Sequence, residues 1–255
     1  SMNEGLNLFD FRRNGLNGVL ENRLVRVYSA SQMESIEGTL DGPVVWTDPG
    51  VVRHITGNLY IPASASLTVG PGVIVLFEDG AGMEVNGDLF IEGADDADVM
   101  LTGITQDARW TGIRVQANPD HPCNILLSKF RAIGSSDTPD TPFLQVNGPA
   151  SVSLNRGLIH QFGQGITLSN GADLTATYLT MFDLSSFAIK MQEAGLSLYG
   201  SILWNCGTGL PIEDLGNSNL VVEYSDIEMQ AYQVFPGEGN FNLDPWFRLP
   251  ESMDF

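Results

Sequence analysis

The chain has 255 residues and a net charge of 12 − 31 = −19, with only two lysines, Lys129 and Lys190, among its cations. So acidic a surface disfavours nucleic acid and anionic membranes as partners, because both need a basic face. It fits a salty or extracellular setting and suits divalent cations. No apolar run approaches the roughly 18 residues of a membrane span, so no membrane insertion is expected.

Residues 1–40 are the least regular text. Leu6, Leu8 and Phe9 precede Arg12-Arg13-Asn14-Gly15, and Leu20, Leu24, Val25 and Val27 follow. Ser1-Met2 has the look of a cloning scar, so a natural leader could have been removed. A stacked-repeat domain must cover its first coil, or the open edge would pair with other chains. Residues 1–40 are therefore expected to form an N-terminal cap, with 41–231 as the repeat body and 232–255 as a C-terminal cap.

From Thr39 onward short alternating runs are separated by glycine turns. They include Ile55-Thr-Gly-Asn-Leu-Tyr-Ile-Pro62, Ala65-Ser-Leu-Thr-Val-Gly-Pro-Gly-Val73, Val85-Asn-Gly-Asp-Leu89 and Trp110-Thr-Gly-Ile113. Leu67 and Leu89 are 22 apart, as are Val69 and Ile91. The turn Ala94-Asp-Asp-Ala-Asp98 gathers Asp95, Asp96 and Asp98, a set that would take Ca²⁺ if it bound a cation. The plainer reading is a solvated acidic turn, and no other cofactor is required.

Two longer loops follow, Gln116–Cys123 and Gly134–Pro142. Insertions in stacked repeats go to loops, often on the binding face. Asp120, His121, Asp137 and Asp140 are thus candidates to gather around a groove. The strands beside them read Gly112-Ile-Arg-Val, Phe143-Leu-Gln-Val, Gly165-Ile-Thr-Leu and Ala188-Ile-Lys-Met. Alternation points Arg114, Gln145, Thr167 and Lys190 outward on one sheet, where the two cations would meet an anionic sugar chain. An ordinary solvated face is the competing reading.

The period is clearest over Ala150–Cys206. Val152, Leu174 and Leu196 fall in one column at spacings of 174 − 152 = 22 and 196 − 174 = 22. Leu154, Ala176 and Leu198 form another, and Ile159, Met181 and Leu203 a third. His160, Phe182 and Trp204 share a column that reads as packing. Gln161, Asp183 and Asn205 read as a polar turn ladder. Strand-like alternation at a fixed period in the twenties predicts a parallel β-helix of roughly eight coils, with three short strands per coil of about 22 residues. Cys206 lies in an apolar column and Cys123 in register with Ala150, Ala172 and Ala194. Three coils apart, they exceed the reach of a disulfide, so two buried free thiols are expected.

Three stretches resemble the text of secreted bacterial right-handed parallel β-helix repeat proteins of the pectate-lyase-like superfamily. They are Val45-Trp46-Thr47 through Val73, Val85-Asn-Gly-Asp-Leu89 through Trp110-Thr-Gly-Ile113, and Gly237-Glu-Gly-Asn-Phe-Asn-Leu-Asp-Pro-Trp-Phe247. The resemblance implies an all-β, right-handed parallel β-helix with three sheets and capped ends. It makes Trp46 and Trp110 structural and Gly237–Phe247 the cap on the last coil. It also implies a secreted or cell-surface location. The family's text usually continues past Asp254-Phe255, which suggests a piece of a larger polypeptide.

Catalytic text is sparse. The polygalacturonase elements, Gly-x-Ser-x-Gly, phosphate-binding and dinucleotide loops are missing, and His54, His121 and His160 have no metal spacing. The expectation is a non-catalytic module: a stalk, adhesin or glycan-binding segment, with a polysaccharide or cell-surface glycan as partner. The alternative is a polysaccharide lyase or glycoside hydrolase working along the Arg114–Lys190 face.

Overall fold

A computed structural model describes the backbone of residues 5–15, 18–29, 32–135, 140–207, 209–230 and 233–247, with side chains from residue 32 onward in those ranges. Every regular element described is a β-strand. The first two, β1 (Gly5–Gly15) and β2 (Gly18–Ser29), pair antiparallel as a separate hairpin.

The remaining strands stack in parallel as a solenoid of about eight turns. The early coils hold β3 (Gln32–Thr39), β4 (Val44–Trp46), β5 (Val51–Ile61), β6 (Ser66–Val69), β7 (Ile74–Phe77), β8 (Gly82–Val85) and β9 (Asp88–Glu92). The middle coils hold β10 (Val99–Gly103), β11 (Ile113–Gln116), β12 (Cys123–Ile133), β13 (Pro142–Asn147), β14 (Ala150–His160) and β15 (Gln164–Ser169). The last hold β16 (Asp173–Thr177), β17 (Thr180–Leu184), β18 (Ile189–Gln192), β19 (Gly195–Tyr199), β20 (Ile202–Cys206), β21 (Ile212–Asp214), β22 (Asn219–Glu223) and β23 (Asp226–Ile227).

These strands form three ladders. The first sheet runs β4, β6, β9, the front of β12, the front of β14, β16, β19, β22. The second runs from the fronts of β3 and β5 through β7, β10, the rears of β12 and β14, β17 and β20 to β23. The third runs from the rears of β3 and β5 through β8, β11, β13, β15 and β18 to β21. β3 is thus already a solenoid strand, although the text up to residue 40 reads as cap. Its alternation is hard to see because most of its residues are exposed.

The columns read from sequence are the observed register. Leu174 pairs with Val152 and Leu196, and Cys123 with Ala150. Like apolar side chains stack inward along each sheet, and one continuous cluster fills the bore. Stacking is what stabilises each coil, since a single coil cannot bury its own apolar side. The coil between Leu89 and Ile125 is longest, at 125 − 89 = 36 residues. Part of the excess carries Trp110 into the bore. There its ring stacks on Phe77 at 4.2 Å and its indole N–H donates to the Ile133 carbonyl at 2.9 Å.

Corners between sheets use left-handed residues. Lys129, Arg156, Tyr178, Gly200 and Tyr224 turn the chain from the first sheet to the second. Gln161, Asp183 and Asn205 turn it to the third, and the Asn205 amide donates to Asp183 at 3.2 Å, the expected coil-to-coil bond. Asn170, Glu193 and Asn217 turn it back to the first.

Asn240 closes the last coil. Its amide N–H groups donate to the carbonyls of Val222, Pro236 and Phe235, at 2.8, 3.1 and 3.3 Å, and its oxygen accepts from the Ser225 amide at 3.0 Å. Phe241 bridges Asp226 in parallel, continuing the second sheet by one residue.

Candidate functional site

The third sheet carries the residues that sequence placed on one face. Register runs Glu84, Arg114, Gln145, Thr167, Lys190, Glu213, one per coil. At about 4.8 Å per strand, Arg114 and Lys190 lie roughly 14 Å apart. All six are outward, because their strand neighbours, such as Ile113 and Val115, are buried. Arg114 donates through Nε to the Gln145 side-chain oxygen at 3.3 Å. Lys190 pairs with Glu213 at 2.8 Å and sits over the Phe187 ring at 5.4 Å. The row is electrically balanced: Glu84 is in register with Arg114, and Glu213 bonds Lys190.

A second outward ladder, two residues further along each strand, has no obvious sequence signal beyond a polar column. Asn147 donates to Gln116 at 2.9 Å and accepts from Ser169 and Asn170, at 3.2 and 2.6 Å. Its amides are spent on one another, much as the charges are in the first row.

The two loops lie at opposite strand ends of this sheet, 117–122 after β11 and 134–141 before β13. In the first, the Asn118 side chain accepts from the Asp120 and His121 amides, each at 3.0 Å, which closes a tight turn. Asp120, His121 and Asp140 are exposed. Among the described residues no hydrogen bond or ion pair joins them to the Arg114 row, and Asp137 lies outside the described residues.

The acidic turn is drawn toward cations. Asp95 is bonded by Lys129 and lies 3.3 Å from Arg156, while Asp98 accepts from Arg131 at 2.7 Å. The Lys129 hydrogen bond and charge hold the Asp95 carboxyl below its ordinary range. Among the described residues no group of three or more His, Cys, Asp or Glu is placed to hold a metal. Asp95 and Asp98 are engaged in these ion pairs, and Asp96 lies between them. The partners come from a later coil, which a reading of residues 94–98 by themselves has no means to reveal.

Both cysteines are buried free thiols. Burial pushes the Cys123 thiol up to about 11, and Cys206 is raised by burial as well. Neither is poised as a nucleophile. His160 is 2% exposed and stacks on Phe182 at 5.5 Å, with Asp183 at 3.7 Å. Burial raises the Asp183 carboxyl. This outward column packs, as its sequence suggests.

One surface feature carries no single-column signal in the sequence. Tyr178, Tyr199 and Tyr224 are exposed together at the corner between the first and second sheets. Tyr199 meets Tyr178 at 6.2 Å and Tyr224 at 5.3 Å between ring centroids. They escape a single-column search because Tyr199 stands one position earlier in its coil than the other two. Gly200 occupies the place its neighbours fill with tyrosine. Exposed, mutually braced rings offer apolar faces and polar tips, the chemistry that stacks on a sugar ring.

No family model matches the chain, and neither a curated protein nor a solved structure matches it.

Proposed function

We propose that the chain is a non-catalytic β-helix module of a secreted or cell-surface bacterial protein, a stalk or adhesin segment that meets glycans. The carrying observation is the internal pairing of the Arg114–Lys190 face. Lys190 is held by Glu213, Arg114 is engaged by Gln145, and Glu84 stands in register beside Arg114. A face whose cations are matched by its own carboxylates carries no net positive charge to attract a polyanion. The exposed tyrosines add a place for a neutral sugar to stack.

The test is incubation with neutral and acidic polysaccharides, in Ca²⁺ and in chelator, following chain length and unsaturated-sugar absorbance. The expected result is no shortening, with retention on a neutral-glycan gel that Tyr199→Ala weakens. The loops flanking the third sheet favour the second reading, a lyase or hydrolase acting along that face. Depolymerisation that disappears in Arg114→Ala/Lys190→Ala, with the fold intact, would establish it and overturn the first.

A further inference from the structure

The outer face of the second sheet differs from the other two. Val52, Ile74, Leu76, Met100, Ile133 and Leu158 form an apolar cluster separate from the bore, each between 2% and 7% exposed. They alternate with inward residues such as Val75, Leu101, Ala132 and Ile159, so they point away from the core. An outward apolar side chain on a solenoid sheet is buried only when something lies over it. Among the described residues Ile104 is the partly buried hydrophobic side chain packed against this cluster.

We infer that this face is the docking surface of the chain's own N-terminal hairpin, β1–β2. Three observations select that occupant. First, position: the hairpin ends at Ser29, and Gln32–Ile36 then pairs with Val51–Ile55, the edge of this same sheet. The hairpin therefore leaves the solenoid beside the cluster. Second, size: the cluster spans β5, β7, β10, β12 and β14, four strand steps or about 19 Å. A two-stranded ribbon laid parallel to those strands would cover about two of them. Laid across them, strands of 11 and 12 residues reach about 37 Å at ~3.4 Å per residue and cover all five. Near-orthogonal packing of two sheets is an ordinary arrangement. Third, chemistry: the register puts positions 9, 11, 25 and 27, two Phe and two Val, on one face of the hairpin and positions 6, 8, 24 and 28 on the other, both apolar in sequence, and the first set is the one seated on the cluster. Residues 5–29 carry Arg12, Arg13, Arg23 and Arg26 against Asp10 and Glu21, 4 − 2 = +2, whereas the rest of the chain sums to −19 − 2 = −21. An isolated two-stranded hairpin is marginal in water, so it too gains from the contact.

Met100 reports on the face in the intact chain. It is 4% exposed in the cluster, Met181 and Met191 are 0% exposed in the bore, and Met33 is 57% exposed. Under brief peroxide oxidation followed by peptide mass analysis, the full chain should oxidise Met33 and protect the other three. Phe9→Asp/Val25→Asp should raise Met100 oxidation at least tenfold while Met181 and Met191 stay protected. Leu8→Asp, on the hairpin's other face, should leave Met100 protected. Protection of Met100 in the double variant overturns the inference. If the double variant unfolds, which oxidation of Met181 reveals, a photoreactive phenylalanine analogue at position 9 decides instead. Cross-links within one chain to peptides of β7, β10 or β12 support the inference. Cross-links elsewhere in the chain, or to a second copy, refute it.

Discussion

Replacing Asn240 should loosen the last coil in a way that separates hydrogen bonding from packing. In Asn240→Ala the Ser225 amide loses its acceptor, and Ser225 is fully buried. The Val222 carbonyl loses its donor as well. Each buried backbone group left unmade costs roughly 1–3 kcal/mol. The carbonyls of Phe235 and Pro236 are less enclosed, and water replaces the lost donor there. The sum is about 2–6 kcal/mol, felt locally, because a solenoid's end coils open separately from its centre. Asn240→Asp should be no better. Its carboxylate still accepts from Ser225, but it has no N–H for the three carbonyls around it, and it sets negative charge against them. The assay is amide hydrogen exchange, with Ser225 as the reporter and Leu127, in the middle of the solenoid, as the control. Faster exchange at Ser225 in both variants, with Leu127 unchanged, is expected. An unchanged Ser225 rate in Asn240→Ala, or a fully restored rate in Asn240→Asp, would refute the reasoning.

Three other outcomes are expected. Burial raises the Asp226 carboxyl, outweighing the Leu243 amide that donates to it; in the pH window between its ordinary and raised values the folded chain binds more protons than the unfolded one, so stability falls as pH rises through that window. Asp226→Asn should flatten that part of a pH series of urea midpoints, and an unchanged slope would contradict the assignment. Gly148→Ala should lower the thermal midpoint, by more than about 1 kcal/mol of stability, because φ is +92° and an added Cβ would lie 2.0 Å from the Ala117 carbonyl oxygen; a midpoint equal to the parent's would show that the corner can shift. Cys123 and Cys206 should resist iodoacetamide at pH 8 in the folded chain and react in denaturant, read by mass, since burial raises both thiols; rapid native alkylation at Cys206 would mean the last coils open readily.

Inward-facing residues were legible because the solenoid repeats their environment. Val152, Leu174 and Leu196 meet the same neighbours in successive coils, so the same residue types recur and the register can be counted. The row Arg114, Gln145, Thr167, Lys190 was found by the same counting. What counting did not supply was what the outward side chains bond to. Lys129, Arg156 and Tyr178 sit at left-handed corners, yet none is a usual turn residue. In the structure Lys129 and Arg156 reach back to Asp95, one and two coils earlier, so that carboxylate is ion-paired across coils. The second sheet was the least legible of all. Its outward Ile74, Leu76 and Met100 make Ile74–Phe77 and Val99–Leu101 apolar on both faces, which removes the alternation that marks a half-exposed strand.

That loss of alternation is informative in itself. A solenoid strand apolar on one side needs only its neighbours above and below, whereas one apolar on both sides needs a second layer. The three sheets divide accordingly. The third shows a polar, self-neutralised face, and the first mixes small and polar residues such as Ser153, Thr175 and Ser197 with half-buried Phe90 and Leu126. Among the described residues the second commits the longest run of outward positions to apolar side chains, Val52 through Leu158. A ligand-binding role along the third sheet and a covering role on the second make opposite demands: the former must leave polar groups free to exchange partners, the latter must exclude water. On the third sheet the Lys190–Glu213 pair is still partly solvent-exposed, about 40% for each side chain, so solvent screening keeps that pair weak and exchangeable. A glycan hydroxyl can compete for such a pair without first displacing protein, and it has no comparable entry to the Met100 face.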